Sequence, residues 1–146
     1  VDTALLPNGS SATREVVEHP GGVCVAALTE DGCLLFVRQF RYPYQKVLLE
    51  LPAGKLDPGE DPLEAGKREL REETGAEAAR YESLGELYPS PGYCGEIIHL
   101  YAATGLTGRC PPTRTNSWRW RKFRWRRLPG WCWTMKSPMP RRRRPC

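Results

Sequence analysis

The chain predicts a mixed α/β (α+β) layer fold, a β-sheet with helical cover. Short apolar runs, partly β-branched, recur between Gly, Pro and Asp-Gly turn signals, and one amphipathic helix with both ends marked interrupts them. Strands interleaved with a single long helix require layers, because each sheet face must be buried against something. A second helix is expected downstream to cover the other face, and none is legible after residue 108.

The elements follow in order. Residues 1–6 and 13–18 read as two strands around a turn at Pro7-Asn8-Gly9. Residues 23–28 and 34–40 read as strands, and Asp31-Gly32 between them is a hairpin signal. Residues 47–51 form another short strand leading into Pro52-Ala53-Gly54. The helix is expected at about residues 62–74. Asp61 is its N-cap, Pro62 suits the first helical position, Glu64 sits where a capping-box acid belongs, and Gly75 ends it. Leu63, Lys67 and Leu70 recur at helical spacing, the Lys67 stem lying along apolar surface. Residues 81–88 and 96–103 complete the strands.

Length and composition bound the rest. A chain of 146 residues is expected to form one domain, and no apolar run approaches the length of a membrane span. No signal-peptide pattern opens the chain, and Val1 in place of Met points to a missing N-terminal piece. Cys24, Cys33, Cys94, Cys110, Cys132 and Cys146 form no Cys-x-x-Cys pair, so reduced thiols in a cytoplasmic protein are expected rather than a zinc site. The net charge of +5 hides a division: residues 1–108 hold 9 Lys+Arg and all 17 Asp+Glu, while residues 109–146 hold 13 Lys+Arg and no acid.

The chemistry concentrates between Gly54 and Ala76. Gly54 is followed after five residues by Glu60, and after seven more by Arg68-Glu69-Leu70-Arg71-Glu72-Glu73-Thr74-Gly75-Ala76. Residues three and four apart share a helix face, so Glu69, Glu72 and Glu73 point the same way. Three like charges repel, and a hard cation such as Mg2+ relieves that cost. A solvated acidic helix face is the plainer alternative. Gly54 and Gly59 bracketing the entry loop, with Glu60 and Arg68, weigh against it. Arg68 can neutralise or orient Glu60, or form an ordinary surface ion pair.

This stretch resembles the Nudix box, G-x5-E-x7-R-E-U-x-E-E-x-G-U with U apolar, at every defining position. Arg38-Gln39-Phe40-Arg41-Tyr42-Pro43 before it and Ser90-Pro91-Gly92-Tyr93 after it resemble the ADP-ribose pyrophosphatase branch, in which a proline about fifteen residues past the box marks the subgroup; Pro91 is fifteen past Ala76. The resemblance covers about residues 1–107. It implies a Nudix fold and a homodimer, with residues 1–20 a remnant of an N-terminal dimerisation sheet and 21–108 the hydrolase core.

The implied reaction is attack of water, activated by Mg2+ (or Mn2+), on the diphosphate of ADP-ribose, giving AMP and ribose 5-phosphate. By carry-over, Glu69 and Glu73 are the principal metal ligands, Glu72 is a further ligand or a helper of the water, and the Ala53 carbonyl completes the site. Glu60 acts from behind with Arg68, and Gly54 supports the loop. Arg41 is the first candidate for a substrate phosphate, its planar fork suiting paired oxygens, and Arg38 the second; either is equally readable as a sheet-surface arginine. Glu96 is a further substrate-side candidate. His99 is expected to be a satisfied strand histidine. Tyr42 or Phe40 either stacks on adenine or packs in the core. Another nucleotide-sugar or dinucleotide pyrophosphatase is the nearest rival activity.

Residues 109–146 do not fit this pattern. Trp118-Arg119-Trp120-Arg121-Lys122-Phe123-Arg124-Trp125-Arg126-Arg127 has the composition of a nucleic-acid or membrane-surface segment. A basic nucleic-acid-binding module on this scaffold is the rival from another class; non-specific contact through the tail is all that is expected, and no membrane. Out-of-frame translation explains the segment better. Read one base earlier, Trp131-Cys132-Trp133-Thr134 forces Val-Leu-Asp, Met135-Lys136 forces Glu and Met139-Pro140 forces Ala, whatever the synonymous codons. The unforced positions permit the family's closing helix, and Arg114 to Trp125 permit its acidic loop and next strand. The shift falls near Gly108 to Cys110. The tail is then expected to be poorly ordered, lacking both the closing helix and the acidic loop's Glu, with activity impaired.

Overall fold

A computed structural model describes residues 1–108 and the backbone of residues 121–127 and 133–136. Its strands are β1 (Asp2–Leu5), β2 (Ser11–Arg14), β3 (Gly22–Ala27), β4 (Cys33–Arg41), β5 (Lys46–Glu50), β6 (Ala53–Lys55), β7 (Glu77–Leu87), β8 (Ile98–Thr107), β9 (Arg121–Arg127) and β10 (Trp133–Lys136), with helix α1 (Pro62–Thr74) between β6 and β7. Two four-stranded sheets run in the orders β6-β3-β8-β7 and β10-β9-β4-β5, and β1-β2 form a separate hairpin. The first sheet is mixed: β3 pairs parallel with β8 and antiparallel with β6.

Helix α1 spans the predicted residues because both ends are chemically marked. The Asp61 carboxylate accepts from the N–H groups of Leu63 (2.9 Å) and Glu64 (3.1 Å), and Gly75 takes the left-handed conformation at φ 68° while donating to the Arg71 carbonyl. Glu64 bonds Lys67 Nζ at 2.7 Å, and that ammonium lies over the Tyr81 ring. The inner face of α1 buries Ala65 and Leu70 against Val23, Val25 and Ala103 of β3 and β8. Gly66 makes the close approach possible, since a Cβ there would stand 3.1 Å from Val23 Cγ2.

Several strand expectations need correction: β7 begins at Glu77 instead of residue 81, and β8 runs over Ile98–Thr107 instead of 96–103. The second strand ends at Arg14 instead of running to Glu18, because the next residues serve another partner: Val17 donates to the Tyr93 carbonyl (2.8 Å) and accepts from the Gly95 N–H (3.0 Å), ahead of β8. The β3–β4 connection turns tightly, with the Gly32 N–H donating to the Thr29 carbonyl, yet the strands meet only at the Leu28–Leu34 bridge. Both edges of β3 are taken by β6 and β8, so β4 leaves for the second sheet. β6 itself is a strand the sequence does not signal.

The turn at Pro7-Asn8-Gly9 is present, with the Asn8 side chain accepting from the Ser10 N–H. Within residues 109–146, β9 pairs with β4 (Cys33 opposite Arg124) and β10 pairs with β9. Trp118 and Trp120 and the remainder of that segment lie outside the described residues. Among the described residues no helix is long and apolar enough to cross a membrane.

Candidate active site

The acids of α1 meet the strand that enters the helix loop. Glu69 packs so closely on Gly54 that a Cβ at that position would force its carboxylate to move aside. One turn on, Glu73 Oε2 accepts from the Ala53 N–H at 3.1 Å. Ala53 and Gly54 are held in place by β3, opposite Cys24 and Val23.

Arg68 organises the outer side. Its Nε and Nη2 each lie 2.9 Å from a different oxygen of Glu60, Nη1 donates to Glu69 Oε1 at 2.7 Å, and Nη2 reaches the Lys55 carbonyl at 3.3 Å. Glu72, largely exposed, lies 3.7 Å from Nη1. The Asp57 N–H also donates to Glu60. These bonds to the ionised form, Arg68 foremost, hold the Glu60 carboxyl down at about 2, and Glu60 and Glu69 raise the Arg68 pKa further.

Glu73 behaves in the opposite way. Burial pushes its carboxyl up to about 7, with the negative charges of Glu69 and Glu50 adding to the rise and the Ala53 N–H and Arg41 opposing it. Among the described residues no three of the His, Cys, Asp and Glu side chains form a ready-made metal cage. The repulsion expected among Glu69, Glu72 and Glu73 is lessened by Arg68 for the first two and, for the third, by the proton that its raised pKa lets it keep. The donor set is nonetheless all hard oxygen, as a divalent ion of the Mg2+ type prefers, and the raised Glu73 carboxyl marks a point that a cation would stabilise.

A cavity of about 520 Å3 opens beside Glu73 and Gly54, with Arg41, Glu50, Cys24 and Glu96 among the residues lining it. Arg41 is on its wall, but its fork is already engaged: Nε and Nη2 donate to Glu50 at 2.8 and 2.6 Å. Glu96 stands 3.8 Å from His19 Nδ1, a residue the sequence reading passed over, and that nitrogen accepts from the Gly21 N–H. Arg38 is not brought to the cavity; strand alternation sets it on the other face of β4 from Gln39 and Arg41. His99 is paired, 3.6 Å from Glu86. Phe40 and Tyr42 are 52 % and 77 % exposed, so the core-packing alternative for them does not hold.

Glu50, Gln39, Cys24 and His19 are cavity residues that sequence reasoning missed. Period-two alternation along β4 from Arg41 would have found Gln39. Glu50 required the β4–β5 register, and His19 the loop docking against residues 93–95.

Comparison with known proteins identifies the family. The NUDIX domain profile matches residues 18–135. The chain is 44 % identical over 107 residues to an ADP-ribose pyrophosphatase of Bacillus subtilis, covering 73 % of this chain and 58 % of that protein. It is 44 % identical over 106 residues to an ADP-ribose pyrophosphatase of Mycobacterium tuberculosis (72 % and 51 %) and 50 % identical over 107 residues to a methanol dehydrogenase activator of Bacillus methanolicus (73 % and 58 %). It thus spans little more than half the length of these relatives. The crystal structure of an ADP compounds hydrolase shares the fold at a TM-score of 0.68 and 23 % identity, over 82 % of this chain and 66 % of that one. A box without a departure, a helix built on it and a profile spanning most of the chain lead to one assignment: this protein is a member of the Nudix family.

Proposed function

We propose that this site hydrolyses the diphosphate of ADP-ribose, with water as co-substrate and AMP and ribose 5-phosphate as products, in the presence of Mg2+. The observation that carries the proposal is the convergence of α1 on β6: Glu69 lies against Gly54 and Glu73 against Ala53, beside a cavity with Arg41 on its wall. Glu69 and Glu73 would hold the ion, with Glu72 and the Ala53 carbonyl completing its shell. When bound, such an ion acidifies water and stabilises the negative charge that grows as a P–O bond breaks.

The chain's own groups do the remainder. Arg68 fixes Glu69 and leans on Glu60, so the ligand carboxylate is oriented before an ion arrives. Glu73 must give up its proton to serve as a ligand, and the Ala53 N–H prepares one of its oxygens for the negative charge. Arg41 receives a phosphate oxygen. A second copy of the chain, joined through the β1–β2 hairpin whose Leu5 is 79 % exposed, belongs to the same proposal. The free thiols of Cys24, Cys33 and Cys94 support a reducing compartment such as the cytoplasm.

Residues 109–146 qualify the activity. We infer that they are read out of frame, which removes an acidic loop and a closing helix, so that turnover by this chain is weak. The division of the chain into residues 1–20, 21–108 and 109–146 is part of this inference, supported by the confinement of all 17 acidic residues to the first 108 positions.

The test is a titration of Mg2+ and Mn2+ into the wild type and the E69Q and E73Q variants, with AMP release followed for ADP-ribose, NADH and a sugar nucleotide. Uptake of an ion that depends on both acids, with preference for ADP-ribose in whatever turnover remains, is the expected result. Ion binding indifferent to both substitutions overturns the reading.

A further inference from the structure

Arg41 and Glu50 stand on one face of the β4–β5 pair, where Val37 is opposite Glu50 and Arg41 is opposite Lys46. Each side chain therefore extends along the strands to meet the other. The contact is two-point and short, 2.8 Å at Nε and 2.6 Å at Nη2. It is also asymmetric in cover: the Glu50 side chain is 22 % exposed and the Arg41 side chain 44 %. The better-buried partner is thus the carboxylate, and the guanidinium projects from it. A guanidinium has more donors than one carboxylate can occupy, and among the described residues no other side chain takes the Nη1 edge. Both residues line the cavity that Glu73 also faces.

We propose that Glu50 is a positioning residue: by clamping Nε and Nη2 of Arg41 it turns the remaining edge of the guanidinium toward the cavity, to receive a substrate diphosphate. This rests on the diphosphate reading given above and adds to it a residue that never touches substrate. A free arginine on a strand end samples many rotamers. Held by two bonds, it presents a planar donor edge in one orientation, and less ordering is left for the substrate to bring about. A lysine would replace it poorly, since an ammonium has no rigid planar fork to hold both Glu50 oxygens and keep a second donor edge in a fixed orientation. A latch that the substrate must displace would act the other way, and Glu50 removal would then tighten binding.

The experiment is calorimetric binding, in Mg2+, of a methylene-bridged ADP-ribose analogue that cannot be cleaved, to the full chain and its E50A, E50Q, R41A and R41A/E50A variants. Thermal melts establish that each is folded. E50A is expected to weaken binding about tenfold, the scale of losing hydrogen bonds that orient a charged group. E50Q keeps the shape and one acceptor and should lose less. In the R41A background, E50A should cost nothing further, because Glu50 acts through Arg41.

Tighter binding by E50A, unchanged binding by E50A and E50Q together, or a second full loss in the R41A background each overturns the proposal. If E50A is unfolded, E50Q and its double variant with R41A decide by the same criteria. Should the wild type bind no analogue, the diphosphate reading and this proposal fall together; should it bind while the Glu50 variants are indifferent, only this proposal falls.

Discussion

Arg68 and Glu60 are joined at two points, each oxygen of the carboxylate 2.9 Å from a different nitrogen of the fork, while the third nitrogen holds Glu69 at 2.7 Å. One cation thus ties the helix entry loop to a ligand candidate one residue along. An ammonium has no planar fork to make both contacts. R68K should therefore lose about 10- to 100-fold in metal affinity, the range for groups that orient a ligand from behind, with the melting temperature little changed. Isothermal titration with Mn2+ checks it, and affinity equal to wild type would remove Arg68 from this role.

The same pair sets an acid response. Glu60 titrates at about 2 in the folded chain, below its unfolded value of about 4.3. Its contribution to stability is whole above the unfolded value and disappears as pH falls through the folded one. Denaturant midpoints of wild type and E60Q should be furthest apart above pH 5 and converge toward pH 2.

Glu73 has the opposite sign. Its folded pKa of about 7 exceeds the unfolded value, so the folded state holds the extra proton and stability falls as pH rises between about 4.3 and 7. Metal-free wild type should show that decline, E73Q should lack it, and added Mg2+ should offset it in the wild type alone. Melting temperatures against pH, with and without Mg2+, give the comparison.

Gly54 separates site from fold. G54A drives a methyl group into the Glu69 carboxylate, and the flexible side chain must move away while β6 stays paired with β3. Because only the flexible end of Glu69 has to yield, stability should change little, while Mn2+ affinity should fall as far as in E69Q. Leu70 marks the contrary case: it is fully buried in the core between α1 and β3, and L70A should cost about 2–5 kcal/mol in urea unfolding.

The tail yields a genetic prediction. The encoding DNA near Gly108 should carry an added or missing base, with an open acidic frame beyond it. Restoring that frame should raise Mg2+-dependent AMP release. Strong turnover by the chain with its present residues 109–146 would refute the impairment.

Legibility in the sequence followed the range of the interactions. Helix α1 was readable to both ends because Asp61, Pro62 and Gly75 act on their immediate neighbours. The Glu60–Arg68 pair was readable because the box spacing brings loop and helix together. What escaped depends on partners distant in the chain. Nothing near Asp31-Gly32 says that β3 is already occupied on both sides, and nothing near Arg41 says that Glu50 takes its fork. His19 came to the cavity through Val17 and residues 93–95, a contact no local pattern encodes. Arg38 and Arg41 are chemically alike in sequence, and only the face of β4 tells them apart.

The parallel pairing of β3 with β8 has a consequence for biosynthesis. The floor beneath α1 needs a strand that ends at Thr107, long after the helix itself has been made. A ribosome therefore releases the acidic helix, with β3 and β6 already made, before β8 completes the floor. Until β8 emerges, α1 has only β3 and β6 to rest on, and a nascent chain halted near residue 95 would leave the Ala103 side of the Leu70 core open to chaperones and proteases.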